Sequence, residues 1–154
     1  SVTKAFEKKR FNINGKHTYL TEFKLENTAF PWQRLFDCKI NGMAYPYGAF
    51  DERVMRLAAE CGIKFSRTTI DRHDFKIPEN LLAFGVTCHH SYPHLDKLLD
   101  DFLAYDGEDP AVFSLWGHSY EFDLNENWSL IENFCKKISG RDDIFYGTNS
   151  EVYL

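Results

Sequence analysis

The stretch that decides the fold covers residues 40–70 and reads INGMAYPYGAFDERVMRLAAECGIKFSRTTI. Residues 40–45 predict a buried strand, and the turn sequence YPYG begins at its end. Asp51 is then placed to cap a helix whose apolar residues recur every three or four positions until Gly62 stops it. Residues 63–70 predict the next strand. Strand, helix and strand in this order are typical of a parallel α/β sheet.

The same alternation continues toward the C-terminus. Helical spacing of leucine and phenylalanine predicts a helix that starts near Pro93 and ends before the turn at residues 106–110. An apolar run over residues 111–116 predicts a strand, another helix begins around Asn127, and residues 144–146 predict the last short strand. In parallel α/β folds, functional residues gather at the carboxyl ends of the strands, so we expect a site there.

The N-terminal segment follows a different pattern. Residues 5–20 alternate between apolar and polar side chains around Asn14-Gly15, a strong turn signal, and predict a β-hairpin. Residues 25–38 predict a short helix, in which Pro31 either lies in the first turn or breaks the helix. The expected fold class is therefore α/β with an N-terminal β-hairpin, and a length of 154 residues fits a single domain.

Composition and charge exclude several classes of function. The net charge of −5 and the lack of a Lys/Arg run give nucleic acid or an anionic membrane little to bind. The four cysteines share no C-x-x-C spacing, and Cys61 and Cys135 fall on the apolar faces of predicted helices. This pattern indicates reduced, buried thiols. Since no signal peptide and no long apolar run is present, we expect a cytoplasmic protein.

Two strand ends carry residues with useful chemistry. The segment GHSYEFD at residues 117–123 directly follows a predicted strand and brings His118, Glu121 and Asp123 together. Such groups suit acid–base or metal chemistry, although a polar loop that caps the sheet is the alternative. The YPYG turn ends in the same layer, where the backbone N–H of Tyr47 either stabilises an oxyanion or serves only a structural turn.

A third cluster, TCHH at residues 87–90, combines a thiol with two imidazoles. Its spacing matches no standard zinc motif, and neighbours in an extended chain point to opposite faces. We therefore expect one of His89 and His90 to face the site, and a local zinc site is the less favoured interpretation. His17 on the hairpin is the fourth candidate, either as a site residue or as an exposed side chain.

Two of these segments resemble motifs of the polysaccharide deacetylase (NodB-homology) family. GMAYPYGAF at residues 42–50 resembles the family's third motif, and LWGHSYEFD at residues 115–123 resembles the fifth, histidine-bearing motif of one bacterial branch. The TCHH segment recurs in that branch, and the resemblance covers residues 40–154. It implies a distorted (β/α) barrel, partial or shortened in this chain, and metal-dependent removal of the acetyl group from an amino sugar.

The resemblance also implies roles for individual residues. His118 would be the general acid, the N–H of Tyr47 would complete the oxyanion site, and Leu115 and Trp116 would wall the acetyl pocket. In the family, an aspartate and two histidines hold zinc or a similar divalent ion, and His17 is the candidate for one of these ligands. The resemblance therefore implies a divalent metal, zinc in the first place, as cofactor.

The N-terminal part departs from the family pattern. The first motif, an Asp-Asp pair, has no counterpart before Tyr45. Around His17, the partner position of the second motif is Ile13 or Thr21, so one ligand is missing in either register. A catalytic zinc normally has three protein ligands. Three explanations remain open: an inactive relative, a chain that lacks the first strands, and a site that two chains assemble.

Three functions compete on this basis. The first is a metal-dependent deacetylase with His118 as acid and metal contacts from His17, His89 or His90. The second is a carbohydrate-binding module without catalysis, and the third is an assembly protein that forms a homo-oligomer through an open barrel edge. In the first two, the expected partner is an N-acetylated sugar or oligosaccharide. The residues expected to contact it are Tyr45, Pro46, Tyr47, Leu115, Trp116, Tyr120, Glu121, His89 and His90.

Overall fold

The structure is a computed structural model that describes residues 40–154 and the backbone of two strands before them. The helix predicted over residues 25–38 and the Asn14-Gly15 turn lie outside the described residues. The described elements, in chain order, are β1 Phe6–Ile13, β2 Lys16–Phe23, β3 Gly42–Ala44, a 3₁₀ turn Pro46–Gly48, α1 Glu52–Glu60, β4 Phe65–Asp71, a 3₁₀ turn Leu81–Ala83, β5 Phe84–Val86, β6 Cys88–His89, α2 Leu95–Leu103, β7 Leu115–Trp116, α3 Ser119–Leu124, α4 Trp128–Ile138 and α5 Asn149–Tyr153.

The two N-terminal strands form an antiparallel pair. Its register runs from Phe6 opposite Phe23 to Ile13 opposite Lys16. The predicted hairpin is therefore confirmed, and β2 continues beyond residue 20, where the prediction ended. β2 extends further than the sequence pattern because pairing depends on the neighbouring backbone as well as on side-chain alternation.

The described residues divide into two compact units. The first contains the described residues up to Thr68 together with Leu81–Ala83, and the second contains Thr69–Asn80 and Phe84–Leu154. Strand β4 contributes to both: its first residues pair with β3, and its last residues lie beside β5. The candidate chemistry described below belongs to the second unit.

The first unit contains the predicted strand–helix–strand arrangement. β3 runs parallel to β4 with Gly42 opposite Phe65, and a Cβ atom at Gly42 would lie 1.9 Å from the Phe65 ring, so any other residue would displace that ring. The carboxylate of Asp51 accepts the N–H of Val54 at 2.7 Å and caps α1, which buries Val54 and Ala58. β3 covers three residues and is half-buried rather than buried, because it lies at the edge of its sheet.

In the second unit, α2 and aromatic rings supply the packing. Helix α2 buries Leu95 and Leu99, which are four residues apart, as its helical spacing predicts. The ring of Phe102 meets that of Phe113 edge-on at a centroid distance of 5.3 Å, and Phe113 lies 5.6 Å from Phe134. These rings connect α2 to α4.

Two predicted strands are shortened or absent. Over residues 111–116, only Leu115–Trp116 forms a strand, and Ala111 forms an isolated bridge with Lys76. The strand predicted over residues 144–146 is wrong: these residues have no regular structure, and Phe145 and Tyr146 are 71% and 51% exposed. An apolar run becomes a strand only when a neighbouring backbone supplies hydrogen-bond partners, and none of the described residues does so.

The thiols are less uniformly buried than predicted. Cys88 is fully buried, Cys61 is half-buried, and Cys135 is exposed, so the prediction for Cys135 is wrong. Cys135 follows Phe134 on α4, and successive helix positions are about 100° apart, which turns the thiol away from the face that Phe134 packs.

The fold is mixed α/β with a few parallel strands, and the strands within the described residues close no barrel. Their three sheets have the strand orders β1-β2, β3-β4-β5 and β6-β7. In the described part of the chain, none of the helices has the length and apolarity that crossing a bilayer requires.

Candidate metal centre

The candidate site lies at the carboxyl ends of two parallel strands in the second unit. β6 and β7 pair with Cys88 opposite Leu115 and His89 opposite Trp116, so both strands end at the same edge. β6 continues into the second histidine of the TCHH segment, and β7 continues into helix α3. This pairing brings the TCHH and GHSYEFD segments together at the edge where the strand-end rule expects a site.

His90 and Glu121 form the centre of the cluster. Nε2 of His90 lies 2.7 Å from Oε2 of Glu121. The imidazole is 3% exposed, and its other nitrogen, Nδ1, is buried without a hydrogen-bond partner. The ring packs against Phe122 at a centroid distance of 4.3 Å, and a Cβ atom at Gly117 would lie 1.8 Å from its Cδ2. A neutral His90 therefore carries its proton on Nε2 and donates it to the carboxylate.

His89 reaches the same carboxylate oxygen. Its Nε2 atom lies 3.2 Å from Oε2 of Glu121, and the centroids of the two imidazoles are 4.3 Å apart. Strand β6 ends at His89, so the chain turns at His90 and the alternation of an extended chain stops there. Both histidines therefore meet Glu121, whereas the sequence led us to expect only one of them at the site.

Ser91 contacts the other ring nitrogen of His89, Nδ1. The backbone N–H of Ser91 donates to Nδ1 of His89 at 3.2 Å, and the Ser91 hydroxyl oxygen lies 2.7 Å from the same nitrogen. Because a backbone N–H can only donate, Nδ1 presents a lone pair and the proton of the neutral ring is on Nε2. Burial, and then the neighbouring His90, lower the pKa of His89 and favour this neutral form.

One oxygen of Glu121 serves three donors. Besides the two imidazoles, Oε2 accepts the backbone N–H of His118 at 3.2 Å, at the start of helix α3. The hydrogen bond from His90 is the main cause that holds the pKa of Glu121 below its usual range, and the bond from the His118 N–H adds to it. The carboxylate form is therefore favoured at this position.

These three side chains offer a donor set that suits a metal ion. His89, His90 and Glu121 each place one ligand atom within 4.8 Å of the others. Two imidazoles and one carboxylate occur at catalytic zinc sites and at non-haem iron sites. Ligand atoms around a tetrahedral zinc are about 3.3 Å apart, given bonds of roughly 2.0–2.1 Å. The His89 contact at 3.2 Å already fits this spacing, and the His90 contact at 2.7 Å must lengthen.

Trp116 connects the cluster to the end of strand β4. Its indole N–H donates to Oδ1 of Asp71, the last residue of β4, at 3.0 Å. Its ring lies edge-on to His89 at a centroid distance of 4.6 Å. The charge of Asp71 raises the pKa of His89 and so opposes the effect of burial. Sequence reasoning missed Asp71, although its position directly after a predicted strand is the signal that marked the other candidates.

His118 and Tyr120 form an exposed ring pair in the same segment. Their rings are stacked with centroids 5.3 Å apart and an interplanar angle of 22°. Tyr120 is 56% exposed, and the His118 ring lies edge-on to Trp116 at 6.0 Å. The side chain of His118 is therefore open to a ligand, while its backbone N–H is held by Glu121.

The other predicted site residues are distributed over both units. Leu115 is half-buried in β7. In the first unit, Tyr45 is buried and its hydroxyl donates to a backbone carbonyl at 2.6 Å, and Pro46 is exposed. Tyr47 is 91% exposed with a left-handed backbone φ of 57°. The backbone of His17 lies in β2, and the structure does not describe its side chain.

A cavity of about 770 Å³ lies elsewhere in the second unit, lined mainly by apolar side chains. None of the three cluster residues lines it. Its two carboxylates, Asp143 and Glu151, are already engaged by Arg141 and Thr148. The candidate chemistry therefore belongs to the cluster and not to this cavity.

Comparisons of this chain with known proteins found no similar protein. The chain has no significant match among protein-family models, curated proteins or solved structures. The geometry of the cluster and the resemblance of two motifs are therefore the grounds for a function.

Proposed function

We propose that this chain binds a divalent metal ion through His89, His90 and Glu121 and hydrolyses the acetyl amide of an N-acetylated amino sugar. The convergence of three ligand atoms within 4.8 Å carries the proposal. The substrate class comes from the resemblance of residues 42–50 and 115–123 to polysaccharide deacetylase motifs. The proposed ligands differ from those that the resemblance implies, because they come from the segments that follow β6 and β7.

The charge states of the ligands support metal binding. A metal ion needs neutral imidazoles and an ionised carboxylate. Burial lowers the pKa of His89, and the hydrogen bond from His90 lowers that of Glu121, so both groups favour these forms near neutral pH. When bound, the ion supplies Lewis-acid activation of water and of the amide carbonyl.

His118 is the proposed general acid. In amide hydrolysis the oxygen of water bonds to the carbonyl carbon and one proton of the water passes to the solvent, from which the general acid is later reprotonated. The C–N bond breaks, and the departing amine takes up a proton from the general acid. The exposed imidazole of His118 supplies that proton, and its backbone is fixed to Glu121 by the 3.2 Å hydrogen bond. General acid catalysis of this kind contributes roughly 10²–10⁴-fold to a rate.

The sugar is proposed to lie against aromatic side chains of the LWGHSYEFD segment at residues 115–123. The flat apolar faces of Tyr120 and Trp116 suit the apolar face of a sugar ring, and the Tyr120 hydroxyl can exchange hydrogen bonds with sugar hydroxyls. Tyr120 is 56% exposed, so its ring is accessible without any rearrangement.

The first experiment compares two glutamates that cap helices in the same way. Glu121 caps α3 and Glu151 caps α5, each by accepting the backbone N–H at the start of its helix. Only Glu121 also meets two imidazoles. Zinc binding by calorimetry and acetate release from N-acetylglucosamine oligosaccharides are measured for wild type, Glu121→Gln and Glu151→Gln.

We expect wild type and Glu151→Gln to bind about one zinc per chain and to release acetate, and Glu121→Gln to lose both, because an amide is a poor metal ligand. Equal zinc binding by both variants would remove Glu121 from the metal centre. If wild type binds zinc but releases no acetate, the metal centre is supported and the deacetylase activity is rejected.

A second function, sugar binding without catalysis, is favoured by one observation. The stacked pair of His118 and Tyr120 is exposed independently of any metal ion. Under this alternative, an oligosaccharide raises the melting temperature in the presence of chelator, because any ligand of the native state stabilises it. The absence of a shift in chelator, together with a shift in zinc, would reject this alternative.

A further inference from the structure

The hydroxyl group of Ser91 can either donate a hydrogen bond to His89 or accept one from it. Its hydroxyl oxygen lies 2.7 Å from Nδ1 of His89, and its backbone N–H donates to the same nitrogen at 3.2 Å. A hydroxyl can donate or accept, whereas the backbone N–H can only donate. We propose that Ser91 is a positioning residue of the metal centre: its hydroxyl accepts the Nδ1 proton of His89 when Nε2 binds the ion. This inference rests on the proposed function.

The proton count on His89 requires such an acceptor. In the metal-free ring, Nδ1 accepts from Ser91, and the single proton is on Nε2, facing Glu121 at 3.2 Å. Binding an ion through Nε2 removes that proton, and a neutral imidazole then carries one on Nδ1. One proton leaves Nε2 and one arrives on Nδ1, so the ring stays neutral throughout. The Nδ1 proton points at Ser91, where the hydroxyl is the acceptor within reach.

His90 provides the contrast within the same cluster. Its Nδ1 atom is buried and has no hydrogen-bond partner, so a proton there would be unsatisfied. Metal-binding histidines usually donate their second N–H to an acceptor, which fixes the tautomer and the ring orientation. Within residues 40–154, the Ser91 hydroxyl can provide this second bond for His89, and His90 has no such partner. We therefore infer that such a hydrogen bond, from Ser91, fixes the orientation of the His89 ring, whereas the orientation of the His90 ring does not depend on one.

Substitution of Ser91 separates metal affinity from stability. In Ser91→Ala the backbone N–H still satisfies Nδ1 of the metal-free ring, so the melting temperature without metal should stay within about 2 °C of wild type. In the zinc-bound form, the Nδ1 proton of the variant faces another donor. Removing an outer partner of a ligand histidine lowers metal affinity about 10–100-fold, and we expect a loss in this range. Ser91→Thr keeps the hydroxyl and should bind zinc like wild type.

The decisive test uses zinc alone as the probe, with competition against a chromophoric chelator. It compares wild type, Ser91→Ala, Ser91→Thr and, as a matched control, Ser139→Ala, which alters an exposed serine at the end of α4. In parallel, long-range ¹H–¹⁵N spectra of wild type report which ring nitrogen of His89 carries the proton. We expect the proton on Nε2 without zinc and on Nδ1 with zinc, and weaker zinc binding only for Ser91→Ala.

The outcomes separate this inference from the proposed function. If wild type binds zinc, and Ser91→Ala binds it equally well or the His89 proton stays on Nε2, the role of Ser91 is overturned and the metal centre stands. If wild type binds no zinc, the metal centre fails and the role of Ser91 fails with it. The tautomer measurement needs no variant, so it decides the question even if Ser91→Ala does not fold.

Discussion

Gly117 controls how closely the chain after β7 approaches the buried imidazole of His90. A Cβ atom at this position would lie 1.8 Å from Cδ2 and 2.6 Å from Nε2 of His90. Carbon atoms in contact are normally about 3.5–4.0 Å apart. Gly117→Ala therefore pushes the imidazole or the Gly117 backbone by roughly 2 Å, and a shift of that size ends the 2.7 Å hydrogen bond between His90 and Glu121.

The magnitude follows from packing. Forcing an extra methyl group into a well-packed site costs about 1–3 kcal/mol. For a chain of this length, each kcal/mol lowers the melting temperature by about 2–4 °C, so we expect a fall of roughly 2–12 °C. Displacing His90 also removes one of three proposed ligands. Zinc affinity should then fall by more than the roughly 10–100-fold that loss of an outer partner causes.

Gly140→Ala is the matched control. Gly140 has a left-handed φ of 71°, and a Cβ atom there would meet nothing within 4 Å. Alanine in this conformation costs roughly 1–2 kcal/mol, which is comparable to the expected effect at Gly117. Thermal unfolding by circular dichroism and zinc binding by calorimetry are measured for both variants. Both should lose stability, and only Gly117→Ala should lose zinc binding. If Gly117→Ala keeps wild-type stability and zinc affinity, the close approach to His90 has no role in the site.

Three further predictions concern other groups. Because burial raises the pKa of the fully buried Cys88 to about 12, iodoacetamide should label the exposed Cys135 in the native chain and leave Cys88 unmodified, as mass spectrometry will show; labelling at equal rates would contradict this. Asp71→Ala removes the acceptor of the Trp116 indole N–H and should lower the free energy of unfolding by about 1 kcal/mol, whereas Asp71→Asn keeps an acceptor and should lose less in the same urea titration. Burial lowers the pKa of His89 below its unfolded value of about 6.5, so the unfolded chain binds more protons and the melting temperature should fall as the pH drops below that value; a fall of equal size in His89→Gln would assign it to another group.

Local signals made α1 predictable from the sequence. The Asp51 cap, the spacing of Val54 and Ala58 and the stop at Gly62 all act within a few residues, and each lies where the sequence placed it. Helix α3 was missed although a local signal exists. Glu121 follows His118 by three residues and accepts its backbone N–H, which is half of a capping box.

Strand ends could not be predicted from the sequence, because strands depend on distant partners. Residues 144–146 have an apolar strand pattern, but no strand of the described residues pairs with them. β6 stops at His89 for the same kind of reason: its length is set by its pairing with β7.

The cluster itself was only partly predictable. His89, His90 and Glu121 were all candidates. The two histidines were expected to contact the metal or the substrate, and Glu121 was expected to contact the substrate. Their meeting at one carboxylate oxygen depends on the β6–β7 pairing and on the turn at His90. Neither property can be derived from spacing along the chain.

Glu121 Oε2 belongs both to the cluster and to the start of helix α3. It accepts the His118 N–H at 3.2 Å while it faces the two imidazole nitrogens at 2.7 and 3.2 Å. A carboxylate oxygen has two lone pairs, and three donors already share this one, so a cation that binds it competes with the helix for it. Occupancy of the cluster and fraying of the first turn of α3 are thereby coupled, and hydrogen exchange at the His118 amide becomes a built-in reporter of a cation bound to the same carboxylate oxygen.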